Sequence, residues 1–547
     1  MRAALGTAAA LVLLLPGVAR AMDAAPAAAL GLGAPALSDQ SCADKTYPEC
    51  RRIRYAYGPL TITPGANFQV VAPGISKPGY DGYALRLAAN LYRADGTIPP
   101  VDEIHLHHAV WFSIPQYGNF LPFFGAGEEK TTFQLPSGYG LKVRATDQWY
   151  LNYMIHNLTP TPEQVYVVYD IDYVPAAAAE AKGVKRAYPL WLDVLYNKRP
   201  YYPVFNAQRG YGHVNPATGA HECTYPKERC AAFDPYGNDQ PGNGTGYDWK
   251  VPRQWSGTLI GMGGHVHPGG LRDDVDIVRG GAARHVFTSD AVYWDTAGPI
   301  SWDLSMTVTK PGWRVQVKPG DTIRLNATYD TSHGSWYEGM GIVMAWVAPD
   351  DHSGVDPFQK VRKRVNVRVR SKRSHRTRVR HRYRWDYVPI DTRGVVTHGH
   401  LPENNHHGGD NVRPLPTKLG PRVEQINIDN FQYRPGDLSQ SDSIPTVSAS
   451  KQLVFDNHDA SVGIWHTVTS CAPPCSGEAG ISYPLADSMP AIDSLELGWT
   501  PMPDIQPASN RVEYKLVPDK GGLHPGDTVT YFCRVHPFMR GAFKVVK

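Results

Sequence analysis

Beyond its leader, the chain has no apolar run approaching the ~20 residues that a membrane-spanning helix needs. Helical patterning is sparse: alanine-rich stretches occur only in the leader and around residues 176–181. None of the glycine-rich turns has the spacing of a phosphate-binding loop or a dinucleotide fingerprint, and no Ser/His/Asp constellation stands out. Cysteine is scarce, at 7 in 547 residues. These absences set aside membrane-spanning helices, nucleotide chemistry and nucleophilic hydrolysis. What remains is a chain rich in turn formers, with Gly 52 and Pro 47 against a hydrophobic content of 42%. That composition predicts an all-β protein, and the length predicts about three domains.

Residues 1–21 carry Arg2, an apolar run to Leu15, and Ala19-Arg20-Ala21 as a small-residue cleavage signal. This reads as a secretory signal peptide cleaved near Ala21, placing the protein in a secreted or periplasmic compartment. Six cysteines fall in three close pairs, Cys42/Cys50, Cys223/Cys230 and Cys471/Cys475. Local disulfides are the simplest expectation in an oxidising compartment. Cys533 is left over.

Cys533 opens the segment Cys533-Arg534-Val535-His536-Pro537-Phe538-Met539, with a second imidazole upstream at His466. Two imidazoles, a thiolate and a weak thioether are the donor set of a blue-copper electron-transfer centre. The spacing suits a strand ending at Cys533 and a tight loop folding His536 and Met539 over one metal. Together with Val454-Phe455-Asp456-Asn457-His458-Asp459 and His466-Thr467-Val468, this loop resembles the amicyanin and plastocyanin-like cupredoxins over residues 421–547. The resemblance implies a Greek-key β-sandwich with His466, Cys533 and His536 as equatorial ligands and Met539 as the axial one.

Three further histidine segments lie upstream: His105-Leu106-His107-His108, then His156, then His265-Val266-His267. An H-x-H on a strand projects both imidazoles to one face, a natural metal pincer, whereas an adjacent pair grips one metal only on a distorted strand. Followed by Met340, this order resembles the copper type II, ascorbate-dependent monooxygenases, such as peptidylglycine α-hydroxylating monooxygenase and dopamine β-monooxygenase, with the stress-upregulated nodulins related. That resemblance spans residues 53–350. It implies two jelly-roll domains and two separated type II-like coppers: one electron-accepting, on His107, His108 and His156, and one activating dioxygen, on His265, His267 and Met340. It implies hydroxylation of a C–H bond, with His265, His267 and Met340 as catalytic residues. His105 leaves His105/His107 open as the alternative pair, Met344 is an alternative to Met340, and His333 is a candidate polar neighbour. No motif selects the organic substrate.

Residues 360–384 hold thirteen Lys or Arg and no acid, leaving the rest of the chain at −9 against +4 overall. Basic residues favour even positions and Val, Tyr and Trp odd ones. If extended, the strip shows one cationic and one mostly apolar face. It reads as a solvated edge strand or linker, or as a docking strip for an acidic redox partner or anionic surface; export argues against nucleic acid. The cluster His398, His400, His406, His407 reads as a solvated loop, with metal capture as the alternative.

The sequence therefore divides into a signal peptide (1–21), a leader segment (22–52), jelly rolls at 53–176 and 177–350, a basic and His-rich linker (351–420), and a cupredoxin (421–547). It predicts an exported multicopper redox protein with roughly three coppers, one blue. The leading function is a copper-dependent monooxygenase using dioxygen, an external reductant and a fused electron donor; the alternatives are a non-catalytic electron-transfer or copper-binding protein, or a cell-surface protein metallated only in its cupredoxin.

Overall fold

The computed structural model describes residues 37–547 except 43, 65–69, 115–120, 160, 196–202, 232–247, 295–297, 299–300, 371–376, 406–412, 463, 472, 474, 476–491, 495–496, 499–511, 535 and 537. The leader, with its expected cleavage signal, and His406 and His407 lie outside the described residues. The fold is all-β, as composition predicts: among the described residues the one α-helix is the short Ala176–Ala181. No helix among them is long and apolar enough to cross a membrane. All three expected disulfides are closed, Cys42–Cys50, Cys223–Cys230 and Cys471–Cys475, leaving Cys533 free and buried. Closed disulfides are compatible with an oxidising compartment.

In the first third, Arg51–Ile62 and Gly82–Arg93 flank Glu163–Pro175, facing a sheet ordered Val70–Pro73, Gln148–Asn157, Ile104–Ile114, Leu121–Gly127. Trp111, Trp149, Leu151 and Ile171 fill the space between them. Each is nearly water-free, worth ~1.5–3 kcal/mol or more per large side chain relative to exposure.

Gly280 and Gly281, both at positive φ, join Gly270–Arg279 and Ala282–Tyr293 into a hairpin. After residue 176 the chain supplies the strand Lys185–Asp193. This strand pairs with Tyr139–Val143 at its start and with Ile342–Ala348 afterwards, so sheet runs continuously between the two N-terminal halves.

The C-terminal strands form two further sheets. One is ordered Lys418–Arg422, Ser443–Ser448, Arg540–Val546, Thr528–Phe532, Thr469–Cys471; the other Gln432–Arg434, Gln425–Asp429, Leu453–Asn457, Glu513–Leu516. Alternating buried positions such as Leu453, Phe455 and Asn457 face Tyr531 and Phe543 across the sandwich. Met154, Val204, Met340 and Ile342 of the N-terminal region join the same hydrophobic cluster. The C-terminal sandwich thus sits against the region that carries the upstream histidines.

The basic strip is extended, but as two strands, Lys360–Arg370 and Thr377–Tyr387. Their register pairs even positions with odd ones: Arg362 faces Trp385 and Arg364 faces Tyr383. Directly opposed residues share a face. Each face therefore mixes guanidinium with apolar or aromatic groups, not the cationic and apolar faces expected. Trp385 remains 67% exposed, and the Arg362 guanidinium sits 4.0 Å over the Tyr383 ring.

Candidate metal centres

At the C-terminal site, Thr528–Phe532 and Arg540–Val546 pair antiparallel with Phe532 opposite Arg540, so residues 533–539 are the loop of a hairpin. Met539 N–H donates to the His536 carbonyl (2.8 Å), and Cys533 N–H donates to the Met539 carbonyl (3.2 Å). His466 is held by paired backbone bonds with Leu497. Cys533 Sγ lies 3.7 Å from both His466 Nδ1 and His536 Nδ1, which are 3.0 Å apart. The point equidistant from these three atoms is about 2.0 Å from each, the length of a metal–imidazole bond. Met539, 1% exposed, packs in the same cluster.

The surroundings hold this triad ready. Asp459 accepts from Asn430 N–H (2.7 Å) and Phe431 N–H (3.0 Å), and its carboxylate meets His466 Nε2 at 2.9 Å. The far ring nitrogen is thereby fixed and Nδ1 is left for metal. Asn430 and Phe431 both adopt left-handed φ, 51° and 58°, rare for a bulky residue. This conformation aims their amides at Asp459 and sets the Phe431 ring 5.1 Å from that of His536. Burial pushes the Cys533 thiol up, but hydrogen bonds and charge from His466 and His536 outweigh it and hold the thiol well below its ordinary value. Burial likewise lowers His466, yet Asp459 and Cys533 raise it overall. Thr467 N–H also donates to Sγ, at 3.4 Å. A thiolate so favoured suits copper.

The upstream histidines gather into one cluster. The register between Ile104–Ile114 and Gln148–Asn157 slips between Leu106 and His108, so a bulge at His107 supplies the distortion that an adjacent pair needs. His105, His107 and His156 place donor atoms within 4.8 Å of one another. His108 is not in that group. It lines a cavity of ≈ 210 Å³ with His265, Met340 and Met344, walled by Phe112, Phe133 and Trp191. His267 stands with its ring centroid 4.0 Å from that of His107, which is also 4.0 Å from His156. The separation implied for two upstream coppers is absent here: ligands assigned to different centres are neighbours.

The ring nitrogens show a common pattern. His105 Nδ1 bonds the Val101 carbonyl (2.7 Å), His267 Nδ1 the Glu338 carbonyl, and His265 Nδ1 the Glu129 carboxylate (3.0 Å). In each the Nε2 is buried without a hydrogen-bond partner among the described residues, as are both ring nitrogens of His107. Fixing one nitrogen on a carbonyl or carboxylate and baring the other is how a metal-ligating imidazole is held. Burial lowers His105 to about 4 and His108 to about 3, and drives His107, His156 and His267 well below the ordinary value, so all stay neutral and able to ligate.

Several participants carry no motif. Tyr329 is wholly buried; its hydroxyl donates to the Met340 carbonyl (2.7 Å) and accepts from Met340 N–H (2.8 Å) and His267 N–H (3.1 Å). Two predicted ligands are tied through that one hydroxyl. Trp302 covers the first triad, its ring 4.5 Å from His105 and 5.8 Å from His156. Gly127 is sterically required: a Cβ there would lie 2.8 Å from His265 Cε1 and 2.6 Å from Glu129 Oε2. His333 is more than half exposed and pairs with Asp330, away from the cluster. His400 is exposed and His398 half-buried, as a solvated loop would have them, but both imidazoles are tied to the protein. His398 Nε2 meets the Glu129 carbonyl at 2.8 Å and His400 Nε2 the Asp303 carboxylate at 2.7 Å, pinning the linker beside the cluster.

No protein-family model matches the chain, and no curated protein matches it. Among solved structures, a reduced amicyanin variant is 19% identical and covers 22% of this chain and 81% of its own, with a TM-score of 0.13. The copper-containing nitrite reductase of Thermus scotoductus is 10% identical, covering 53% and 55%, at 0.14. A peptide-N(4)-(N-acetyl-beta-D-glucosaminyl) asparagine amidase is 8% identical, covering 55% and 98%, at 0.28. At such scores the ligand geometry, not the likeness, carries the argument. The C-terminal region is a two-sheet β-sandwich that brings His466, Cys533 and His536 together as one candidate ligand set.

Proposed function

We propose that this is an exported multicopper redox protein, in which a blue-copper domain feeds electrons to a histidine cluster that uses dioxygen to hydroxylate a C–H bond. The observation that carries this reading is the placement of His536. It is 1% exposed, and the loop that carries it packs in one cluster with Met154, two residues from His156. The same ligand loop is clamped from both sides: the Arg534 guanidinium stacks 4.6 Å over Trp336, and Met154, Met340 and Ile342 share the sandwich core. A carrier serving a diffusing partner would present this edge to solvent. Here it faces the chain's own histidines, at the high effective concentration that a fused donor gives.

Copper bound at these imidazoles would supply one-electron chemistry toward dioxygen. The protein would contribute the rest. His105, His107 and His156 present their donors together. His265, with Met340 beside the apolar cavity, presents donors where a substrate enters. Phe112, Phe133, Trp191 and Met344 exclude water and suit an apolar C–H group. In balance, dioxygen, the substrate, two electrons and two protons give the alcohol and water. The electrons would come from an external reductant through Cys533 and His536.

The test is turnover of the copper-loaded chain with a chemical reductant, isotope-labelled dioxygen and a panel of apolar amides, amines and phenyl compounds. One labelled oxygen per product, lost in Met340→Ala, is expected. Reductant consumption with no labelled product from any compound, alongside a blue centre that cycles, would favour the non-catalytic electron carrier.

A further inference from the structure

Gly127 to Lys130 form a turn closed by Lys130 N–H to the Gly127 carbonyl (3.0 Å), which puts Glu128 and Glu129 in its centre. Both carboxylates turn inward and are only 2% exposed. Lys130 does not neutralise them; its ammonium pairs with Glu403 at 3.0 Å. Glu129 is engaged by His265. Glu128 is left with both oxygens buried and no hydrogen-bond partner among the described residues. An ionised carboxylate in such a place is strongly disfavoured unless it is paired or coordinates a metal. His107 Nδ1 lies 3.9 Å from Glu128 Oε2, and His267 turns its bare Nε2 inward. Donor atoms of His107, Glu128 and His267 fall within 4.8 Å of one another; so do those of Glu128, Glu129 and His265.

We propose that Glu128 is a metal ligand, holding a second copper ion with His107 and His267 beside the one held by His105, His107 and His156. His107 belongs to both ligand sets, and Glu128 gives the second ion the anionic donor that its imidazoles lack. The two upstream ions then form one coupled pair. Met340 lies toward the apolar cavity rather than completing an isolated second centre. This inference rests on the proposed function only for the identity of the metal as copper.

The test uses the full chain loaded with Cu(II), with copper per chain measured alongside electron paramagnetic resonance. Glu128→Gln should bind one copper fewer than the unsubstituted chain while the blue absorption is unchanged. The unsubstituted chain should show an upstream Cu(II) signal that is broadened, or smaller than its copper content requires. Glu128→Gln should leave a sharp signal from one isolated ion. Full copper content and an unchanged signal in Glu128→Gln would overturn the inference and leave the proposed function standing. An unsubstituted chain that takes up only the blue copper would overturn both. Glu128→Asp, which keeps the charge, should retain the second ion more weakly, so that loss through misfolding is told apart. In the apoprotein Glu128→Gln should be at least as heat-stable as the unsubstituted chain, and with copper less so. A structural acid would give the same loss in both states.

Discussion

The two metal regions solve one problem in opposite ways. The C-terminal triad takes Cys533 and His536 from a single hairpin loop and His466 from the neighbouring segment, and its charges are matched before any metal arrives: a favoured thiolate, a raised His466, and Asp459 behind it. The upstream cluster draws His105, His107 and His156 from one sheet, His265 from the end of another strand and His267 from the connection after it, and burial keeps His105, His107, His156 and His267 neutral. The first arrangement holds one fixed ligand geometry; the second leaves nitrogens of His105, His107, His265 and His267 buried without a hydrogen bond among the described residues, with His265 also lining the apolar cavity.

The sharpest way to break this contrast is to delete one side. Cys533→Ser should abolish the blue absorption entirely while leaving upstream copper content intact; loss of all copper would show one cooperative site instead of two designs. Next comes acid. The folded state holds His105 at about 4, below its ordinary 6.5, so it binds fewer protons than the unfolded chain in that window. The apoprotein should therefore lose stability as pH falls from 6.5 toward 4, and His105→Gln should flatten that loss. His466 is shifted the other way, so its contribution is present below 6.5 and fades as pH rises through the raised value. His466→Gln should accordingly remove stability at acid pH more than at alkaline pH. Thermal midpoints of the apoproteins across pH 4–8 read both slopes, and slopes of equal sign would erase the contrast.

Smaller effects probe the supports. Asp459→Asn removes the charge behind His466 and should weaken copper at the blue centre by roughly 10–100-fold, with the upstream ions unaffected, by competition with a chelator. Arg534→Met removes the guanidinium over the Trp336 ring at the junction between the regions. It should cost about 0.5–1 kcal/mol of docking and slow internal electron transfer, leaving both metal contents unchanged.

The same contrast explains what the sequence could reveal. Cys533, His536 and Met539 lie within one short loop whose geometry follows from the strand before it, so residue type and spacing suffice. His466 needed only one further long-range contact. Upstream, the choice between His105 and His108 depends on a bulge at His107, and no residue there announces it. Glu128 and Glu129 read as an ordinary acidic turn until the fold buries them, and Trp302 and Tyr329 reach the cluster only through tertiary packing. The basic strip shows a related limit. Alternation fixes which residues share a strand face, but the pairing of even with odd positions depends on where the turn falls.

The central claim is that electrons pass from Cys533 and His536 to the upstream cluster within one chain. Rapid reduction of the blue centre in the copper-loaded protein, followed by its optical recovery without oxygen, tests this directly. Recovery should be first order, with a rate independent of protein concentration, and should vanish when the upstream copper is removed. A rate proportional to protein concentration, or recovery unaffected by that removal, would contradict it.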